Sequence, residues 1–132
     1  MSITLIQAQR IAEAAREKAI AIGVAMNIAI VDEGANMKLF IRMDNAFLGS
    51  ADIAIKKART ARLFDMDSGE VGKLSQPGGP LYNIEETNGG LVSFPGGVVI
   101  KDSTGKIVGA IGVSGGAVDQ DQAVASTGAG AF

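Results

Sequence analysis

The chain has 132 residues, enough for one domain with its own hydrophobic core, and a formal net charge of −2. Its 12 basic and 14 acidic residues leave no basic surplus of the kind that nucleic-acid-binding proteins use to neutralise phosphates. The absence of Cys excludes disulfides and a cysteine nucleophile, and the absence of His excludes imidazole-ligated metals and Ser-His-Asp catalysis. Any catalysis would use Asp, Glu, Lys, Arg, Tyr, a hydroxyl group or a bound cofactor.

The amino-terminal segment MSITLIQAQR does not have the basic start and apolar block of a signal peptide. No apolar run in the chain approaches the length that spans a bilayer. We therefore expect a cytoplasmic protein with one domain over residues 1–132.

The first third of the sequence predicts a helix followed by a β-hairpin. Thr4 and Gln7 have the spacing of a capping box, and the alanines and isoleucines that follow recur at helical spacing as far as Gly23. Residues 26–43 then form two β-rich runs on either side of the turn sequence DEGAN, which is typical of a hairpin.

A second helix is predicted from Ser50, as its cap, to about Phe64. It carries a small apolar stripe and is otherwise basic. The stripe consists of Ala54, Ala58 and Ala61, and the basic residues are Lys56, Lys57, Arg59 and Arg62. Residues 65–90 contain Gly and Pro without a sustained period, which predicts a long functional loop or a disordered segment.

The last third predicts a second hairpin, VVIKD and KIVGAIGVS around the turn STG, and a short helix over Val118–Ala125. One face of the final strand lacks bulky side chains. That face consists of Val108, Ala110, Gly112 and Ser114. Glycine weakens a strand, so we expect a helix, a ligand or a second subunit to approach the backbone there, with tight helix packing favoured.

Together these elements predict an α/β protein of the α+β type. Because tight turns join only antiparallel strands, we expect a central antiparallel sheet of about five strands with helices on its faces.

The most suggestive polar side chains lie at the end of the first hairpin and on the second helix. Lys56 and Thr60 lie one turn apart, so they point the same way. If that helix face meets the end of the sheet, Arg42, Lys56 and Thr60 would hold a carboxylate, with Asp44 orienting Arg42. The alternative, which spacing alone favours, is an Arg–Asp pair that fixes the connection and a solvated helix face.

Two other segments offer less specific site residues. In FPGGVV, Gly96 and Gly97 would either expose backbone amides to a ligand or supply a positive φ. Asp65, Asp67 and Glu70 have oxygen atoms that a hard cation could use, but not the spacing of a calcium loop. Solvated acidic side chains in a loop are the favoured interpretation, and we predict no metal site.

Several segments in order resemble the GlcG/HbpS family, which also includes the C-terminal domain of PduO-type cobalamin adenosyltransferases. These segments are GVAMNIAIVDEGANMKLFIRMDNA, IAIKKARTA, FPGGVVI, GKIVGAIGVSGG and DQDQAVASTGA, and they cover nearly the whole chain. The positions that match the family motif are Asp32, Gly34, Arg42, Asp44, Ser50, Lys56, Thr60, Gly96, Gly97, Gly109 and Gly115.

The resemblance implies a profilin-like layered sandwich, self-association into dimers or larger homo-oligomers, and a link to haem or to operons for glycolate, diol or glycerol breakdown. The candidate ligand-binding residues, taken from the polar side chains above and from the positions that match the family motif, are Arg42, Asp44, Ser50, Lys56, Thr60, Gly96 and Gly97. Because the chain has no His, either an axial ligand to haem iron would be Tyr82, a Met or a Lys, or haem would sit in an apolar cleft without strong ligation.

Three hypotheses follow. The first is an oligomeric accessory protein of a catabolic operon that binds a small molecule, either haem or a pathway metabolite. The second is a cofactor-independent isomerase or lyase on a small carboxylate or hydroxylated metabolite, with Lys56 as base and Arg42 as carboxylate clamp, in which Lys57 and Arg59 lower the pKa of Lys56. The third is a structural assembly module whose small strand face docks a second chain.

Overall fold

A computed structural model describes residues 2–132. The elements are α1 (Leu5–Ala21), β1 (Asn27–Asp32), β2 (Met37–Arg42), α2 (Gly49–Phe64), α3 (Ser68–Leu74), a 3₁₀ turn (Ile84–Glu86), β3 (Gly97–Lys101), β4 (Ile107–Ser114) and α4 (Val118–Ala129). The strands form one antiparallel sheet in the order β2-β1-β4-β3. The predicted α+β class is confirmed, with four strands in the described chain rather than about five.

The sheet has a helical layer on each face. On one face, α1 and α4 pack against each other and against the larger apolar cluster of the sheet, which includes Ile28, Ile111 and Val113. On the other face, α2 packs its alanine stripe against Ala29 and Ala110. No helix of residues 2–132 has both the length and the apolar character needed to cross a membrane.

The amino-terminal capping box is confirmed. Thr4 Oγ1 accepts a hydrogen bond from Gln7 N at 3.2 Å, and Thr4 N donates to Gln7 Oε1 at 2.9 Å. These bonds satisfy backbone donors that the first helical turn otherwise leaves free. The alanine-rich face of α1 is buried as its spacing predicts, through Ala8, Ile11, Ala12, Ala15 and Ala19.

The small face of β4 accommodates α2. A Cβ atom on Gly112 would lie 2.0 Å from Ala54 O and 2.5 Å from Ala58 N, so only glycine permits this contact. The favoured expectation of tight helix packing is therefore confirmed. Val108, however, belongs to the opposite cluster with Ile111, because a register shift in the β3–β4 pairing leaves Val108 as an extra residue on β4.

The structure differs from the prediction in three places. The segment 65–90 contains α3 and the 3₁₀ turn; α3 has only 7 residues, too few to establish a period. Ser50 lies inside α2 rather than capping it, because the cap position is Leu48, which makes no side-chain hydrogen bond there. The last helix continues beyond Ala125 to Ala129.

Candidate functional site

A surface groove lies where β2 ends and the chain turns toward α2. Two adjoining depressions of about 450 and 320 Å³ share Arg42, Met43 and Asp44 as lining residues. Leu48, at the start of α2, borders the larger one, and Arg16 of α1 borders the smaller one. Two of the predicted ligand-binding residues, Arg42 and Asp44, therefore share a groove.

The guanidinium group of Arg42 is available at this groove. It forms no salt bridge with any residue in the described part of the chain, so the expected orienting pair with Asp44 is not formed. Arg16, in contrast, pairs with Glu13, with 2.6 Å between Nη2 and Oε1. Arg42 is thus the cation that can receive a ligand anion here.

A row of polar residues crosses the sheet beside this groove. Asn27 of β1 lies opposite Arg42 of β2 on one side and opposite Ser114 of β4 on the other. Directly opposed residues of antiparallel strands point to the same face. The alternation from Ala29, which packs against α2, places this row on the α2 side of the sheet.

Asn27 is the most constrained member of the row. Its side chain is completely buried (0% exposed), and its Nδ2 donates to Phe47 O at 3.1 Å. Ser50 N also donates to Phe47 O, at 3.2 Å, so the Asn27 amide lies at the start of α2. Asn27 Oδ1 has no hydrogen-bond partner among the described residues.

Lys56 and Thr60 contact a different part of the chain. Thr60 Oγ1 accepts a hydrogen bond from Val92 N at 3.1 Å, and Lys56 pairs with Asp52 at 3.1 Å. A Cβ atom on Gly90 would lie 3.4 Å from Lys56 Nζ. Both side chains therefore face the segment 90–92, and no contact within residues 2–132 joins either of them to Arg42.

Lys57, which was expected to lie among the basic residues beside Lys56, is completely buried. Its Nζ donates to Val113 O at 2.8 Å and to Asp121 Oδ2 at 2.9 Å, and lies 4.9 Å from the centre of the Phe94 ring. Asp121 Oδ1 in turn accepts from Gly116 N at 2.9 Å. Burial lowers the pKa of Lys57 below its usual 10.5, and the hydrogen bond and charge of Asp121 oppose that shift.

A sequence pattern does locate this lysine. Lys57 lies three residues after Ala54 and four before Ala61, so it shares the helical spacing of the buried alanine stripe. Its position predicts an inward-facing side chain, although residue type alone placed it with the exposed basic residues. The Lys57 side chain therefore points into the protein and not toward Lys56, the residue whose pKa it was expected to lower.

Gly96 and Gly97 fit around Lys57 and do not present free amides. Gly96 has a φ of +126°, and a Cβ atom there would lie 2.6 Å from Lys57 Nζ. A Cβ atom on Gly97 would lie 2.4 Å from Lys57 O. Their amides donate to Gln122 Oε1 at 3.0 Å and to Ser68 Oγ at 2.8 Å, so backbone conformation and packing explain both glycines.

The acidic residues of 65–70 do not converge. Asp65 pairs with Arg62, Glu70 pairs with Lys73 at 3.0 Å, and Asp67 Oδ1 accepts from Val99 N at 3.2 Å. Within residues 2–132 no group of three or more Asp or Glu side chains is placed to hold a metal ion.

Comparison with known proteins gives matches along most of the chain. The family model described as "Haem degrading protein HbpS-like" matches residues 3–130. An uncharacterized 15.0 kDa protein from the dhaT-dhaS intergenic region of Citrobacter freundii is 40% identical over 126 residues, which cover 96% of this chain and 89% of that protein.

Two further relatives carry more specific names. The corrinoid adenosyltransferase PduO of Citrobacter freundii is 34% identical over 128 residues, and the match covers 96% of this chain but only 38% of PduO. The crystal structure of a PduOC:heme complex superimposes with a TM-score of 0.94 at 32% identity, covering 100% of this chain and 96% of that one. The described fold and these matches agree: the chain belongs to the HbpS-like family.

Proposed function

We propose that this protein is a non-enzymatic accessory protein of a diol- or glycerol-type catabolic operon and that it binds haem in the groove around Arg42, Met43 and Asp44. The observation that carries the proposal is this groove, in which a thioether and an unpaired guanidinium lie together. The relative named as a heme complex and the HbpS-like family match support haem as the ligand. The relative from the dhaT-dhaS region and PduO support the operon type.

The residues of the groove fit the parts of a haem molecule. A methionine thioether is an established axial ligand of haem iron, and Met43 is a methionine that lines both depressions. Arg42 would pair with a propionate. Phe47 and Leu48, which are 72% and 82% exposed beside the groove, would cover the porphyrin ring. Bound haem would supply a redox-active iron, and these side chains would hold and orient it.

Other candidate iron ligands are less suitable. Met26 is completely buried, and the Lys57 ammonium is held by Val113 O and Asp121. Tyr82 is exposed, but it does not line either of the two depressions around Arg42.

We further propose that the protein forms a homo-oligomer. Phe47 and Leu48 lie on a connecting segment where a second copy would cover them, and exposed apolar groups of this size commonly mark contact surfaces. An oligomer would also bury the haem face more completely than one protomer does.

Haem titration with two matched methionine variants tests the proposal. We expect hemin to bind the wild-type protein saturably, with a Soret band that shifts or weakens in Met43→Leu. Met37→Leu removes a thioether from an exposed position at the start of β2, outside both depressions, and should bind hemin as the wild type does. Absence of saturable binding, or identical spectra for all three proteins, would reject Met43 ligation in this groove.

The enzyme hypothesis has no comparable support. Lys56 pairs with Asp52 and contacts the segment 90–92, away from the lining of the groove. Its role as a base, and ligand contacts by Thr60, Gly96 and Gly97, remain predictions.

A further inference from the structure

Asn27 Oδ1 is a buried acceptor whose hydrogen bond is missing. Such an atom costs roughly 1–3 kcal/mol when it is left without a donor, so native proteins rarely retain one without a reason. The orientation of the amide is fixed, because exchanging its two ends would place Oδ1 against Phe47 O, another acceptor. What is missing is therefore a hydrogen-bond donor.

The surroundings of Asn27 are suited to a carboxylate. Arg42 lies directly opposite on the same face and has no salt bridge within residues 2–132. The first turn of α2 begins beside Asn27 without a side-chain cap, and helix starts favour negative charge. Ser50 and Ser114, both buried, add hydroxyl groups to the same end of the sheet.

We infer that the end of the sheet formed by Arg42, Asn27 and the first turn of α2 is a recognition site for a small hydroxy-carboxylate. The carboxylate of the ligand pairs with Arg42, and its hydroxyl donates to Asn27 Oδ1. The adjoining depression of about 450 Å³, which Arg42 lines and the buried Asn27 does not, has room for a molecule of this size. The inference rests on the proposed function only in treating this groove as a ligand site, and it needs no haem.

The charges nearby restrict the ligand class further. Asp44 lines the groove, so a phosphate with two charges would be repelled more strongly than a carboxylate with one. An amino acid would match the acceptors less well, because burying an ammonium group against a neutral amide costs more than burying a hydroxyl.

Access to Asn27 requires the segment Met43–Leu48 to move. Asn27 is completely buried, and two hydrogen bonds join this segment to the residues at the start of β1: Asn27 Nδ2 to Phe47 O at 3.1 Å and Met43 N to Met26 O at 3.1 Å. Ligand binding should therefore perturb the side-chain amide of Asn27 and the backbone of Phe47 together.

The test is an NMR titration of the haem-free protein with lactate, propionate, 1,2-propanediol and alanine, which differ by one functional group at a time. We expect lactate to bind most tightly, propionate about tenfold more weakly, and the diol more weakly still, with the Asn27 side-chain resonances shifting only for lactate. Propionate or alanine binding as tightly as lactate, or no binding by any of the four, would overturn the inference.

Variants identify the residues. Arg42→Gln should weaken the binding of lactate at least tenfold. Arg10→Gln, which removes the same charge from an exposed position on α1, should leave the affinity for lactate unchanged. If the two variants weaken lactate binding equally, the assignment of the site to Arg42 is wrong. Asn27→Leu should abolish the preference for lactate over propionate; if this variant does not fold, the Arg42 and Arg10 pair still decides.

A hemin titration of the same proteins separates this inference from the proposed function. Lactate binding without hemin binding would support the hydroxy-carboxylate site and reject haem. Hemin binding that Arg42→Gln weakens, without lactate binding, would assign Arg42 to a haem propionate and overturn the inference.

Discussion

Two polar clusters lie under α2, and they differ in how completely their atoms are hydrogen-bonded. In the cluster of Lys57 and Asp121, the ammonium has two oxygen acceptors and an aromatic ring, and both carboxylate oxygens are used. In the cluster of Asn27 and Arg42, one buried amide oxygen and one guanidinium have no protein partner in the described chain. A complete network indicates a structural role, whereas unmatched groups beside a groove indicate a ligand.

The position of each cluster fits this distinction. Lys57 links α2 to the end of β4 and to the first turn of α4, so it joins three elements at a point closed to solvent. Arg42 lies at the end of the edge strand β2, where its side chain is exposed. Removing the first group should therefore affect folding, and removing the second should affect binding.

The largest expected effect is that of Lys57→Met. The substitution leaves the carboxylate of Asp121 buried without its cation, which typically costs about 3–5 kcal/mol of unfolding free energy. Urea denaturation followed by circular dichroism measures it. The double variant Lys57→Met with Asp121→Leu should recover much of the loss, because no isolated charge remains buried.

The neighbouring lysine is the matched control. Lys56→Met breaks a partly exposed pair with Asp52 and should cost less than about 1 kcal/mol. If the two methionine variants have equal stability, the Lys57 cluster is not the structural centre that its hydrogen bonds indicate.

A smaller effect is expected from pH. Burial lowers the pKa of Lys57 in the folded protein below the 10.5 of the unfolded chain, so between these two values the unfolded chain binds more protons than the folded one. The contribution of Lys57 to the unfolding free energy should therefore rise with pH through that window. Below the folded pKa, both states are protonated and this contribution is constant.

The measurement is urea denaturation of the wild type and of Lys57→Met between about pH 8 and pH 10.5. The difference between their unfolding free energies at each pH gives the contribution of Lys57. A difference that falls with rising pH would contradict burial as the dominant cause of the pKa shift.

Local patterns predicted most of the fold. The capping box of α1 and the alternation in both hairpins involve residues close in sequence, so the information is contained in short windows. The small face of β4 predicted a close neighbour because Gly112 has a physical cost in a strand. The helix α3 was missed because seven residues with two glycines do not establish a helical pattern.

The candidate site was predicted only in part, because it depends on contacts between distant residues. Arg42 and Asp44 are adjacent in sequence to the turn that forms the groove, and both were identified. Asn27 faces Arg42 only through the register of β1 with β2, and it meets the start of α2 only through Phe47. No spacing rule brings these three together. The burial of Lys57 could have been predicted from its spacing relative to the buried alanines, but its residue type grouped it with the exposed lysines.

The smallest expected effect on stability is that of Arg42→Gln, and this makes it the sharpest test of the comparison. Arg42 is exposed and unpaired, so its replacement should change the unfolding free energy by no more than about 0.5 kcal/mol. Urea denaturation without ligand measures it. A loss comparable to that of Lys57→Met would mean that both clusters hold the fold together, and the unmatched acceptor of Asn27 would then need a structural explanation. A stable variant that no longer binds ligand would instead assign ligand binding to the start of α2 and stabilisation of the fold to its middle, where Lys57 lies.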